Sequence, residues 1–157
     1  MNVDDLERRV RLIEDVEAIK ELKHQYCHYC DDNYDPDGIA ALYASDAVWE
    51  GNGIGKFDGR EAIRKFFQGA SKSFKFAIHN VMNPIIKVQG DRASGEWKLL
   101  QPCTVDGRAV WLAGVYNDDY VKVDGKWLFK HLRVKILFLT PYEDGWVRKQ
   151  FVDGFKG

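Results

Sequence analysis

The chain has 157 residues, enough for one domain (residues 1–157) whose core needs neither disulfides nor a structural metal. Lys and Arg number 23 against 24 Asp and Glu, so there is no basic field to hold a phosphate backbone or an anionic membrane, and neither nucleic acid nor membrane is an expected partner. Five Trp, seven Tyr and nine Phe exceed what a minimal core requires, which points to aromatic pocket walls or subunit interfaces and to a small-molecule substrate.

The first segment, MNVDDLERRVRLIEDVEAIKELK, is charged throughout and holds no apolar run of signal or membrane length. Three sparse cysteines, Cys27, Cys30 and Cys103, do not form a secreted disulfide framework. A cytoplasmic protein in a reducing compartment is expected. Leu6, Val10, Ile13, Val16 or Ile19, Leu22, Tyr26 and Cys30 recur at helical spacing, so the first thirty residues are predicted to be mainly one amphipathic helix. A short helix follows with Pro36 near its start and Ile39, Leu42 and Tyr43 on it; Asp46 closes it before a strand. GNGIGKFDG is a tight hairpin, and GREAIRKFFQGASKS a third helix burying Ala62, Ile63, Phe66 and Phe67. Beyond residue 75 the period becomes alternating. Strands are predicted over Phe76–Val88, Ala93–Thr104, Arg108–Val123 and Trp127–Thr140, with Asp-Gly hairpin signals in VDGR and VDGK. Helices followed by long consecutive strands give an α+β fold, with helices packed on one face of a curved antiparallel meander.

The densest chemistry lies in HQYCHYCDD, residues 24–32. Cys27 and Cys30 match C-x-x-C, but a redox pair of that kind needs a βαβ context that this order of elements lacks. His24 and His28 at i and i+4, with Cys27 beside them, could bite one metal; no further cluster supports them, and the expectation is no metal and a solvated helix face. Asp31 and Asp32 stand at the helix end, where either could be a surface turn residue or could follow Cys30 into a cavity. His79, in FKFAIHNVMNP, has apolar strand neighbours, as a core histidine would.

The order of IKELKHQYCHYCDDNYDPDGIAALYASDAVW, GREAI, IHNVMNPIIKVQGDRASGEW, WLAGVYNDDYVKVDGKWLF and FLTPY resembles the SnoaL-like branch of the nuclear transport factor 2-like superfamily over nearly the whole chain. Within it the pattern is most similar to the gamma-hexachlorocyclohexane dehydrochlorinase, scytalone dehydratase and bile-acid 7α-dehydratase families. The resemblance implies a cone-shaped fold and a cofactor-independent lyase, in which an Asp near the end of the first helix and a His on the first long strand form an acid/base pair. The matching positions are Asp31 and His79. A carboxylate on one imidazole nitrogen fixes the tautomer and raises the basicity of the other. By the same resemblance Tyr26 would assist at a substrate oxygen, and Arg133 would stand beside a leaving group, although counting forward from Trp127 reaches Leu132 instead. Gln101 matches a pocket-wall position, with Leu99, Leu112, Gly114 and Tyr116 expected beside it. Trp97 and Trp111 are expected on the outer face of the sheet, as the contact of a homo-oligomer, dimer or trimer. No flavin, nicotinamide or metal motif is present, and no cofactor is expected. The expected activity is dehydratase-like elimination on a small apolar, cyclic or aromatic substrate. Base-catalysed isomerisation, retro-aldol cleavage and non-catalytic binding of a small molecule remain the alternatives.

Overall fold

The computed structural model describes residues 2–157. Helix α1 (Val3–Asp31) starts where the Asn2 side chain accepts the Asp5 N–H at 2.8 Å, with Asp4 and Asp5 in its first turn complementing the helix dipole. Its apolar stripe has two fates. Ile19, Leu22, Tyr26, Cys27 and Cys30 are buried, whereas Leu6, Val10 and Ile13, predicted on the same stripe, are exposed. Asp15 marks the change: its carboxylate accepts from Lys122 Nζ at 2.6 Å and Trp127 Nε1 at 2.8 Å, tying the helix to the sheet.

Helix α2 (Pro36–Ala41) has Pro36 in its first turn, where a missing N–H costs nothing, and an Asp35 cap. It ends earlier than expected. Tyr43 already belongs to β1 (Tyr43–Gly51), whose turn through Gly53 leads to β2 (Gly55–Asp58). Helix α3 (Arg60–Ser73) buries Ile63, Phe67 and Ala70, with Phe66 half-buried. The single strand expected over 76–88 is two, β3 (Phe74–Ala77) and β4 (Asn80–Gln89), both paired with β5 (Arg92–Val105). β6 (Arg108–Val123) and β7 (Lys126–Pro141) complete the meander through turns in which Asp106-Gly107 and Asp124-Gly125 all take positive φ, as two-residue hairpins require. A one-turn helix, α4 (Gly145–Arg148), follows. The seven-stranded sheet runs β2-β1-β7-β6-β5-β3, with β4 also on β5. It is mixed: β1 lies parallel to β7, while the other pairs are antiparallel.

The sheet curls into a half-barrel around α1 and α3, and two irregularities in β7 help to shape it. The pairing slips between Asp119 and Tyr120, and again between Ala113 and Gly114, so Lys130 and Leu137 are extra residues on β7. Each slip exchanges the faces of the strand. Trp127 and Phe129 are buried, then Leu132, Val134 and Ile136, then Leu139. Arg133 is thereby turned to the outside, where its Nη2 donates to Asp119 at 2.6 Å. Gly114 sits at the second slip: a Cβ there would come within 2.9 Å of the Lys135 carbonyl oxygen. Its task is close approach of the two strands.

Trp97 is a second correction. It stands two residues from Leu99 and four from Gln101, so it shares their inward face; it is 1 % exposed and donates Nε1–H to the Tyr120 hydroxyl at 3.0 Å. Trp111, alternating with buried Val110 and Leu112, lies on the outer face and is half-buried. No helix among the described residues is long and apolar enough to cross a membrane.

Candidate active site

The end of α1 and the break between β3 and β4 meet over one contact. Asp31, the last residue of the helix, accepts from the His79 backbone N–H at 3.0 Å through Oδ1 and 3.2 Å through Oδ2, and its Oδ1 lies 2.6 Å from His79 Nδ1. The break in the strand is what frees the His79 N–H for this carboxylate, while the neighbouring Ile78 N–H returns to Pro102 on β5. With two contacts from one residue, the carboxylate fixes the ring as the Nδ1–H tautomer and leaves Nε2 without a protein partner among the described residues. The imidazole is 6 % exposed and the Asp31 side chain 30 %.

His79 forms part of the wall of a narrow recess of about 60 Å³. Of the residues singled out from the sequence, Tyr26, Leu99, Gln101, Leu112 and Tyr116 line it, whereas Gly114 and Arg133 do not. Trp49, Phe66, Phe67 and Phe74 supply most of the remaining aromatic surface. The Tyr26 hydroxyl accepts Trp49 Nε1–H at 3.2 Å and has the Cys30 thiol and the Tyr43 hydroxyl as further neighbours. Gln101, 3 % exposed, has its amide against the Cys103 thiol. One wall was not foreseen. Asn33 and Tyr34 both take positive φ after the helix, at 56° and 57°, and this turn delivers Tyr34 into the recess, stacked on Phe67 with centroids 6.1 Å apart and edge-on to His79. An aromatic residue inside the polar run DDNYDPD is the signal that could have found it.

A second polar contact is also new. Lys23, on the buried stripe of α1, is 2.8 Å from Asp118 Oδ2 on β6, and both side chains are 0 % exposed. Tyr120 donates its hydroxyl to the same oxygen at 3.0 Å. Burial pushes the Asp118 carboxyl above its ordinary value, with Lys23 and Tyr120 offsetting part of the rise. Burial also raises the phenols of Tyr26, Tyr34 and Tyr116, so all three stand protonated at neutral pH. The Cys27 and Cys103 thiols are each pushed up to about 12, mainly by burial. Thiols held in that state are poor nucleophiles and poor metal ligands. His24 and His28 are on the exposed side of α1, away from buried Cys27, and no group of three His, Cys, Asp or Glu side chains among the described residues is placed to hold a metal.

A candidate scytalone dehydratase from Novosphingobium aromaticivorans has a similar structure, with 28 % identity, TM-score 0.77, and coverage of 86 % of this chain and 91 % of that one. A candidate aromatic ring hydroxylase from the same organism is 28 % identical, with TM-score 0.76 over 84 % of this chain and 96 % of that one. Hexachlorocyclohexane dehydrochlorinase, LinA type 3, from Novosphingobium barchaimii shares the fold at 24 % identity, TM-score 0.77, over 87 % of this chain and 93 % of that one. The fold is the nuclear transport factor 2-like cone. The SnoaL-like domain description matches residues 11–133, a span that runs from α1 into β7 and takes in Asp31, His79 and the recess walls on β5 and β6, and the chain therefore belongs to the SnoaL-like domain family.

Proposed function

We propose that this protein is a cofactor-independent lyase that eliminates water or a similar leaving group from a small, largely apolar, cyclic substrate. One observation carries the reading: an imidazole held by a carboxylate through Nδ1, with Nε2 unengaged at the wall of an aromatic recess. His79 Nε2 takes a proton from carbon, and the imidazolium that forms is stabilised by Asp31 at 2.6 Å. The C–H electron pair becomes the new double bond as the leaving group departs. Tyr26 donates a hydrogen bond to the departing oxygen, and the imidazolium returns the proton to it, so base and acid are regenerated within one turnover. The apolar walls exclude competing water and strengthen the charge interactions inside the site.

The names of the similar structures include a dehydratase and a dehydrochlorinase, both eliminating activities, which supports the lyase class without choosing the substrate. The outer face of the sheet supports assembly. Leu100 and half-buried Trp111 lie on it, Phe138 stacks on Trp146 with centroids 5.1 Å apart, and Trp146 is itself largely exposed. We propose that this face joins copies of the chain in a homo-oligomer. Trp111→Glu should shift sedimentation toward monomer; a wild type that is monomeric at micromolar concentration contradicts it.

The test of the activity is a panel of cyclic alcohols, hydroxyketones and chlorocycloalkanes, incubated with wild type and His79→Ala and read by mass spectrometry for loss of water or HCl. The reading requires elimination by the wild type and a fall of about 10²–10⁴-fold in His79→Ala. Equal rates in the two proteins would refute it.

A further inference from the structure

The buried Lys23–Asp118 pair plays no part in the proton transfer at His79, yet its cation lies directly against the recess. Lys23 Nζ is 3.2 Å from the centroid of the Tyr116 ring, with the Tyr26 and Phe129 rings at 5.3 and 5.5 Å. Asp118, two residues along β6 from Tyr116, holds the ammonium in that position, and is itself held by the Tyr120 hydroxyl, which receives Trp97 Nε1–H at 3.0 Å. Tyr116 lines the recess, and its hydroxyl has no hydrogen-bond partner among the described residues. The face of this phenol therefore rests on a positive charge, while its O–H is free for a ligand. A cation against the face draws ring density away from the oxygen and makes the O–H a stronger donor, an effect that grows where water is excluded.

We propose that Lys23 is a positioning residue that acts through Tyr116, polarising its hydroxyl so that Tyr116 donates a hydrogen bond to a substrate oxygen on which negative charge collects when His79 removes the proton. This rests on the lyase reading and narrows it, because the substrate must carry an oxygen conjugated with the carbon that loses its proton. When the C–H bond breaks, its proton goes to His79 Nε2 and its electron pair delocalises onto that oxygen. Tyr116 shares its proton with the oxygen without losing it, and the pair then returns to form the double bond as the leaving group departs. Burial, with the Asp118 carboxylate adding to it, keeps Tyr116 protonated, as a donor must be. Donors fixed in advance toward developing charge are among the strongest contributions a protein can make to such a step.

The experiment uses 4-nitrophenol as probe in His79→Ala protein, where no imidazole competes for the proton, and reads the bound phenolate fraction by absorbance at fixed pH. Lys23→Met combined with Asp118→Asn removes both charges and avoids a lone buried ion. The expected result is a fall of about tenfold in phenolate to phenol ratio, matched by Tyr116→Phe and not enlarged when the three changes are combined, with 4-nitrotoluene affinity unchanged within twofold. If the double variant fails to fold, Lys23→Gln, a neutral chain that can still donate to Asp118, should lower the phenolate fraction in the same direction. An unaltered or higher ratio in the double variant, in Lys23→Gln or in Tyr116→Phe, or failure of the probe to bind, would each overturn the proposal. An absence of elimination by the wild type would sink the lyase reading while leaving these titrations to decide the role of Lys23.

Discussion

Two of the charge-assisted contacts from helix α1, at Lys23 and Asp31, stand eight residues apart and differ in what they leave open. At Lys23 and Asp118 both side chains are 0 % exposed, and the pair is closed off by Tyr116 and Tyr120. At Asp31 and His79 the carboxylate stays 30 % exposed and one imidazole nitrogen is left unengaged beside a recess. The first contact fixes where the helix lies and, on our proposal, acts on the recess only through the Tyr116 ring. The second leaves an atom open to a ligand. The lesson is that burial alone does not mark a site; an unspent hydrogen-bonding atom at a cavity wall does.

The comparison breaks most visibly at Asp31. Asp31→Asn can still orient the ring but cannot stabilise imidazolium charge, so turnover of any substrate found for the wild type should fall by about 10²–10⁴-fold, with little loss of stability because the contact is at the rim. Retention of most activity would make the carboxylate a structural cap. At the closed contact the order of effects reverses. Lys23→Met strands the Asp118 carboxylate and should cost about 3–5 kcal/mol in denaturant unfolding, whereas Lys23→Met with Asp118→Asn should recover most of that loss. Equal losses in the single and double variants would show that packing of the lysine chain, and not its charge, is what matters.

A smaller effect is expected at Asp15, the outer tether. Burial tends to raise its carboxyl, but hydrogen bonds from Lys122 and Trp127 outweigh this and hold it below the ordinary carboxylate range. A carboxyl depressed in the folded state contributes stability that is complete above its unfolded pKa and is lost as pH falls through the folded one. Asp15→Asn should therefore cost about 1 kcal/mol at neutral pH, and the difference from wild type should vanish in acid. A gap that persists at low pH would contradict the linkage. The smallest effect belongs to the cysteines: with Cys27 at about 12 and burial raising Cys30, Cys27→Ser with Cys30→Ser and chelator treatment should leave activity within a few-fold.

Much of the fold was written in local signals. Apolar periodicity marked α1 and α3, the two Asp-Gly turns marked the meander, and the ends of β6 were placed without error because both turns need φ > 0 that Gly supplies. The face of Arg133 was not readable, since strand parity holds only while pairing is regular, and β7 carries two extra residues whose positions depend on its neighbour. The parallel pairing of β1 with β7 was hidden for the same reason: it is a contact between distant segments. Asp31 and His79 could be matched by resemblance, but their contact depends on a strand break that alternation does not announce. The Lys23–Asp118 pair did leave a trace. Lys23 stands next to Leu22 and three residues before Tyr26 on the buried stripe, and Asp118 alternates with Tyr116 and Tyr120, so each is a charge at a position reserved for apolar side chains. Two such exceptions on facing elements are a legible signal for a buried pair.

The central claim is that Asp31 holds His79 with a proton on Nδ1 and a free lone pair on Nε2. Nitrogen-15 NMR of histidine-labelled protein measures this directly, with no substrate, by resolving the two ring nitrogens of His79 at neutral pH. The account predicts the Nδ1–H tautomer in wild type, weakened toward a mixture in Asp31→Ala. A His79 ring that carries its proton on Nε2, or whose tautomer does not respond to the loss of Asp31, would contradict it.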